Sequence, residues 1–176
     1  MSASLLSLHP LVGPISSLLL TTINFTSTNL FIPLLLPLAP RISAPLWAGV
    51  YHRGRQIVVP LATFSSIACF TSAYMLRSSS SSSTLKPSPL IDARSSLVVN
   101  GIMTLGNMAW TAAFMLGINA RLCELADGGE KVLAKAGSGE VSDLIARWGW
   151  MNMVRAGITG VGAVVGFVGV YGGSRI

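Results

Sequence analysis

Long apolar runs bounded by arginines dominate the chain. The first charged residue is Arg41, so the 40 residues before it contain no Lys, Arg, Asp or Glu. Three further charge-free runs follow at residues 56–76, 95–120 and 156–174. The three later runs, of 21, 26 and 19 residues, are close to the roughly 20 residues that a helix needs to cross the ~30 Å hydrocarbon core of a bilayer. The pattern predicts four membrane spans, near residues 11–36, 56–77, 95–122 and 143–173.

The length of these runs also predicts their secondary structure. A segment in lipid must satisfy its own backbone hydrogen bonds, which only helices and closed barrels achieve. Runs this long, without alternation of polar and apolar residues, do not suit a barrel. We therefore predict an all-α integral membrane four-helix bundle that forms a single domain over residues 1–176, with a flexible Ser-rich loop at 78–94. A cleaved signal peptide is the competing interpretation of the first run, although it wants a basic n-region and a shorter apolar core.

The composition agrees with a membrane protein. Hydrophobic residues make up 51% of the chain and charged residues only 10%, whereas an ordinary soluble domain carries about 25% charged residues. So few charges argue against a soluble enzyme. The net charge is +6, but the basic residues are scattered between apolar runs, which favours a topological role over nucleic-acid binding. We expect the lipid bilayer as a partner, no nucleic acid, and the endoplasmic reticulum as the location.

Polar side chains recur at helical spacing within these apolar runs. Trp148, Asn152 and Arg155 lie on one face of the fourth predicted helix, and small residues continue that face at Gly162 and Gly166. Such a stripe of glycines allows close packing of helices. The third predicted helix carries a comparable face, which should turn away from lipid because polar groups are costly there. Its members are Asn100, Thr104, Asn107, Thr111 and Met115, with Asn119 at its margin.

Several of these residues are expected to meet at one end of the bundle. In a four-span topology, the connection before the second span, the end of the third and the start of the fourth lie on one membrane side. The residues that can converge there are Trp47, Tyr51, Asn119, Trp148, Asn152 and Arg155. Other interpretations stay open: interfacial anchoring for Trp47, snorkelling for Arg155, and helix association for the amides and hydroxyls.

Three short motifs stand in order along the chain. The first is Trp47-x-x-x-Tyr51-x-x-Gly54 followed by Pro60. The second is Trp110-Thr111 to Met115 followed by Asn119-x-x-Leu122, and the third is Arg147-Trp148-x-x-x-Asn152-x-x-Arg155. These motifs resemble those of the anthrone oxygenase-like family of small membrane proteins, and the resemblance covers roughly residues 15–172. Ala109 and Gly117 stand where the family often has prolines around its second motif.

The resemblance implies a four-helix protein that oxidises an anthrone to an anthraquinone with O₂, without a metal or flavin. Trp47, Tyr51 and Trp148 would stack on the rings, and Thr111 and Met115 belong to the second motif and would also bind substrate. Arg155, Asn152 and Asn119 would stabilise the oxyanion as preorganised donors. The general base is open between His52, a Tyr51 phenolate and hydroxide.

We expect no cofactor and no metal site. His9 and His52 are the two histidines, and the charge-free runs hold no carboxylate, so no plausible iron, copper or zinc ligand set is visible. The expected partners are an aromatic polyketide and O₂, with a homo-oligomer or polyketide-pathway enzymes as further possibilities. The alternative functions are a non-catalytic membrane scaffold, or a different enzyme such as a cyclase on the same bundle, because a fold alone does not choose between chemistries.

Overall fold

Four long helices form the protein, as seen in a computed structural model that describes residues 9–79, 92–137 and 139–173. Helix α1 is His9–Leu35, α2 is Pro40–Ser79 and α3 is Ala93–Asp127. A short helix, α4 (Gly129–Leu133), precedes α5 (Glu140–Gly173). The four long helices have the length and apolarity needed to cross a membrane. This confirms the predicted all-α membrane bundle.

Helix α2 extends well beyond the predicted second span. It begins at Pro40 rather than near residue 56, so the segment that carries Trp47 and Tyr51 is helical. Its 40 residues correspond to about 60 Å at ~1.5 Å per residue. Charges mark where the hydrocarbon ends and not where the helix ends, which explains the difference. Of the predicted Ser-rich loop, residues 80–91 lie outside the described residues.

Two wide turns interrupt the regular geometry of α1 and α3. Ser27–Phe31 in α1 and Thr111–Met115 in α3 are π-helical. In α1, the Ile32 N–H donates to the Ser27 carbonyl, five residues back. A threonine hydroxyl in each wide turn donates to the backbone carbonyl four residues earlier. Thr28 Oγ1 donates to Asn24 O, and Thr111 Oγ1 donates to Asn107 O. A π turn adds a residue and changes the direction of the side chains that follow, and such turns often occur at functional sites.

A buried polar node joins three helices in the middle of the bundle. Ser17 Oγ of α1 lies 2.8 Å from Ser65 Oγ of α2, and donates to Asn100 Oδ1 of α3 at 2.9 Å. It also lies 2.9 Å from Thr104 Oγ1. Asn100, Thr104 and Asn107 are all fully buried. The polar face of α3 therefore turns into the bundle, as predicted.

The glycine stripe of α5 packs closely against that node. A Cβ at Gly166 would come within 2.9 Å of Asn100 Nδ2 and 2.8 Å of Pro14 Cγ, and a Cβ at Gly162 would come within 3.0 Å of Asn100 Oδ1. Carbon atoms do not normally approach so closely, so side chains other than glycine would push α5 away from α1 and α3. The stripe fixes the distance between these helices.

We predict that Gly166→Leu destabilises the bundle and Gly157→Leu does not. Overpacking of a tight contact costs about 1–3 kcal/mol, whereas a Cβ at Gly157 meets nothing within 4 Å. Both variants replace a helical glycine by leucine, so the difference between them reports packing alone. The free energy of unfolding in detergent micelles measures it, and equal stability of the two variants would contradict the close contact.

Candidate functional site

A cavity of about 280 Å³ lies between the four long helices. Its volume is close to the lower end of the roughly 300–1,000 Å³ range of small-molecule sites. The wall is mostly apolar, with a polar region where α1, α3 and α5 meet. The lining residues are Ile23, Asn24, Ser27, Val50, Tyr51, Gly54, Arg55, Val58, Val59, Met108, Thr111, Ala112, Leu116, Trp148, Asn152 and Arg155.

Arg155 supplies a cation to the polar region of the cavity. Its Nε donates to Asn107 Oδ1 at 2.8 Å, and its Nη1 donates to Asn152 Oδ1 at 3.1 Å. Within the described ranges, the ion pairs are those of Arg121 with Glu124 and Glu140, so no carboxylate pairs with Arg155. Two neutral amides therefore orient the guanidinium without cancelling its charge. A half-buried charge without a counterion favours an anionic ligand.

The Asn152 amide is itself held in one orientation. Its Nδ2 donates to the backbone carbonyl of Asn24 at 2.8 Å and to Thr28 Oγ1 at 3.2 Å. Thr28 Oγ1 lies 3.1 Å from the carbonyl oxygen of Asn24 and 3.2 Å from that of Gly149, and its one hydroxyl proton is shared between them. Because Nδ2 is committed to α1, Oδ1 points to the guanidinium of Arg155. Two residues of α1, Asn24 before the wide turn and Thr28 within it, therefore position a cation that belongs to α5.

Aromatic rings form another part of the site. The Trp47 and Tyr51 rings are stacked, with centroids 5.0 Å apart and planes 7° apart. Trp47 also meets Trp148 edge to face at 5.7 Å. Tyr51 and Trp148 line the cavity, whereas Trp47 is 1% exposed and lies behind them. Because the Trp47 ring stacks against it, the Tyr51 ring is held in place and forms a rigid, flat part of the cavity wall.

The predicted site residues divide into two groups. Tyr51, Thr111, Trp148, Asn152 and Arg155 line the cavity. The other predicted residues do not line the cavity. Trp47 and Met115 lie in the apolar cluster beside it. Asn119 is buried, and its amide atoms have no hydrogen-bond partner among the described residues. His52 is exposed, and its Nε2 lies 3.9 Å from Cys123 Sγ.

Sequence reasoning missed part of the site. Asn107 belonged to the predicted polar face but was not assigned to the site, and it directly accepts from Arg155. Asn24 and Thr28 were not considered for it at all, although they are one helical turn apart within an otherwise apolar run. An amide and a hydroxyl at that spacing were the available signal.

Two lining residues carry hydrogen-bond donors that the protein itself covers. Asn24 Nδ2 and Trp148 Nε1 are buried and have no acceptor among the described residues. Because these atoms have almost no accessible surface, they do not open onto the cavity. The Arg155 cation therefore supplies the donors that suit a ligand with oxygen acceptors. Across the described ranges, no three His, Cys, Asp or Glu side chains come close enough to hold a metal ion.

The family of the chain follows from a sequence comparison. The family model for anthrone oxygenase matches residues 47–165. The chain belongs to the anthrone oxygenase family. The match begins at Trp47 and covers most of α5, so the lining residues of α2, α3 and α5 lie within the anthrone oxygenase segment. No curated protein and no solved structure matches the chain.

The segment before the family match supplies α1 to the cavity. Asn24 and Thr28 lie outside residues 47–165, yet they hold the Asn152 amide. Asn152 and Arg155 lie inside the matched segment. The orientation of the cation thus depends on contacts between the family segment and the helix that precedes it.

We predict that Gly54→Leu closes the cavity without unfolding the protein. Gly54 lines the cavity, and a Cβ there meets nothing within 4 Å, so a larger side chain occupies open space. Affinity for anthraquinone, measured by quenching of tryptophan fluorescence, should fall at least tenfold while the melting temperature stays within a few degrees. Gly117→Leu is the matched control, because Gly117 is also free of close contacts but does not line the cavity. Unchanged affinity in Gly54→Leu would show that the ligand binds elsewhere.

Proposed function

We propose that this protein is a membrane-bound, cofactor-independent oxygenase that converts an anthrone-type aromatic polyketide to an anthraquinone with O₂ in secondary metabolism. One observation carries the proposal: an amide-held guanidinium, without a carboxylate partner among the described residues, faces an aromatic-walled cavity. Membership of the anthrone oxygenase family supports the same reaction class. We place the enzyme in the endoplasmic reticulum membrane, where enzymes of the polyketide pathway would supply its substrate.

The walls of the cavity suit a flat polycycle. An anthrone is a planar, mostly apolar three-ring molecule with oxygen at one edge. Tyr51 and Trp148 offer ring faces and edges for stacking, and apolar side chains such as Val58 and Met108 complete the wall. The guanidinium of Arg155 fits the oxygen-bearing edge. The ring system therefore has a favoured orientation, with its carbonyl at the polar region.

Stabilisation of an anion is the main catalytic task. Loss of a proton from the CH₂ between the two aromatic rings gives an anthrolate, whose charge rests largely on the carbonyl oxygen. Arg155 would stabilise that oxygen as a preorganised donor, since its guanidinium is already oriented by Asn107 and Asn152. Donors aimed at a developing oxyanion in a low-dielectric site are among the strongest catalytic devices.

The oxidation balances without an added reductant. The anthrolate carbanion gives electrons to O₂, and a carbon–oxygen bond forms to make a peroxide at the former CH₂. The remaining hydrogen on that carbon leaves as a proton, the O–O bond breaks, and water departs. The carbon becomes the second quinone carbonyl. Oxidation of CH₂ to C=O releases four electrons, which is the number that reduces O₂ to one incorporated oxygen and one water.

The proton acceptor is the least defined part of the reaction. Tyr51 lines the cavity, whereas His52, the next residue, is exposed and does not. General bases act within hydrogen-bond reach of the proton or through one water. We therefore assign proton removal to a Tyr51 phenolate or to hydroxide that reaches the cavity, and not to His52.

We predict that Arg155→Gln abolishes most turnover. Removal of one oxyanion donor typically lowers kcat by roughly 100- to 1,000-fold. Purified variant and wild type would be compared in O₂ uptake and quinone formation with emodin anthrone, with chelator present and no cofactor added. Arg147→Gln is the control, because Arg147 is exposed on the same helix and does not line the cavity.

Two outcomes would contradict the proposal. Normal turnover by Arg155→Gln would remove the assigned role of the cation. Wild-type quinone formation no faster than that of heat-inactivated protein would favour a non-catalytic scaffold or a different enzyme class on the same bundle.

A second prediction concerns the source of the new quinone oxygen. With ¹⁸O₂, the quinone should gain one ¹⁸O atom, and the second labelled atom should appear in water. Mass spectrometry of early product, before carbonyl exchange, measures this. Unlabelled quinone formed from ¹⁸O₂ would exclude the peroxide route, because its oxygen would then come from solvent.

A further inference from the structure

The mouth of the cavity lies between α2 and α3. Among the lining residues, four are exposed: Arg55 and Val59 on α2, and Ala112 and Leu116 on α3. Lining residues contributed by α1 and α5 are buried or half-buried. A ligand therefore reaches the cavity between α2 and α3, and its inner end meets Arg155 of α5.

Arg55 gives this mouth a second positive charge. It lines the main cavity and also a shallow outer groove beside His52, Gln56, Val59 and Pro60. Within the described part of the chain, Arg55 makes no ion pair, and the cavity lining contains no Asp or Glu. The cavity thus presents one guanidinium in its interior and another at its rim, with no acidic side chain among the lining residues.

The surroundings of Arg55 strengthen any pairing with an anion. Val59 is 41% exposed and Leu116 is 56% exposed, so the rim beside Arg55 is apolar and accessible. A charge-assisted hydrogen bond is stronger than a neutral one, and apolar neighbours lower the local dielectric around it. The planar guanidinium also matches the two oxygens of a carboxylate.

We propose that Arg55 is a specificity-determining residue that binds a carboxylate on the part of the ring system that lies at the mouth of the cavity. This inference rests on the proposed function for the identity of the ring system. The preferred substrate is accordingly an aromatic polycycle that carries a carboxylic acid in addition to its reactive carbonyl edge. Arg155 acts on the oxyanion formed in the reaction, and Arg55 selects the substrate before the reaction.

A binding experiment tests the proposal without turnover. The probes are anthraquinone-2-carboxylate and its methyl ester, which differ mainly in charge, and quenching of tryptophan fluorescence reports binding beside Trp148. Wild type should prefer the carboxylate by about tenfold. Arg55→Gln should lose that preference and keep its affinity for the ester. Arg53→Gln is the matched control, because Arg53 is also exposed on α2 but does not line the cavity, and this variant should keep the preference.

Three results would overturn the proposal. The first is a carboxylate preference that persists in Arg55→Gln, and the second is an equal loss of affinity for both probes, which would mean that Arg55 only shapes the cavity. The third is a loss of preference in Arg53→Gln as large as in Arg55→Gln, which would indicate general surface charge. Failure of the proposed reaction is separate: no oxidation of any anthrone, with an Arg55-dependent preference intact, would overturn the reaction and leave this inference standing.

Discussion

The contact of the Arg155 guanidinium with two asparagine amides is the interaction on which the site depends. A cation inside a membrane bundle is costly unless acceptors surround it. Asn107 and Asn152 supply those acceptors at 2.8 and 3.1 Å, and both are neutral, so the positive charge remains for a ligand. The Asn152 amide has its orientation because Asn24 and Thr28 accept from its nitrogen. One charge thereby links helices α1, α3 and α5.

The rest of the bundle keeps these partners in register. Close packing of Gly162 and Gly166 against Asn100 sets the spacing of α5 and α3. The polar node around Ser17 ties α1 to α2 and α3 at the same depth. Beyond it, the π turns widen α1 and α3 beside the cavity, where Ser27 and Thr111 line the wall. Tight packing in one half of the bundle and irregular helices in the other leave room for a ligand without loosening the fold.

The four helices were predictable because hydrocarbon thickness sets the length of a charge-free run. Spacings of three and four also predicted that Trp148, Asn152 and Arg155 share a face, and the structure brings all three to the cavity. The bond from Asn152 to Asn24 joins residues 128 positions apart, and no local period encodes such a pairing. The π turns and the place of Trp47 behind Tyr51 depend on contacts between helices in the same way. The spacing of residues therefore predicted which side chains share a face of each helix. Which of those side chains reach the cavity is defined by the packing of the helices against one another.

The most direct test of the uncompensated charge uses a ligand that reports its own ionisation. A hydroxyanthraquinone changes colour when its phenol loses a proton, so absorption spectra across a pH range give the pKa of the bound dye. We predict that dye bound to wild-type protein ionises at lower pH than free dye, because the Arg155 cation favours the anion. Bound dye that ionises at higher pH than free dye would contradict the account, since burial in an uncharged apolar cavity has that effect.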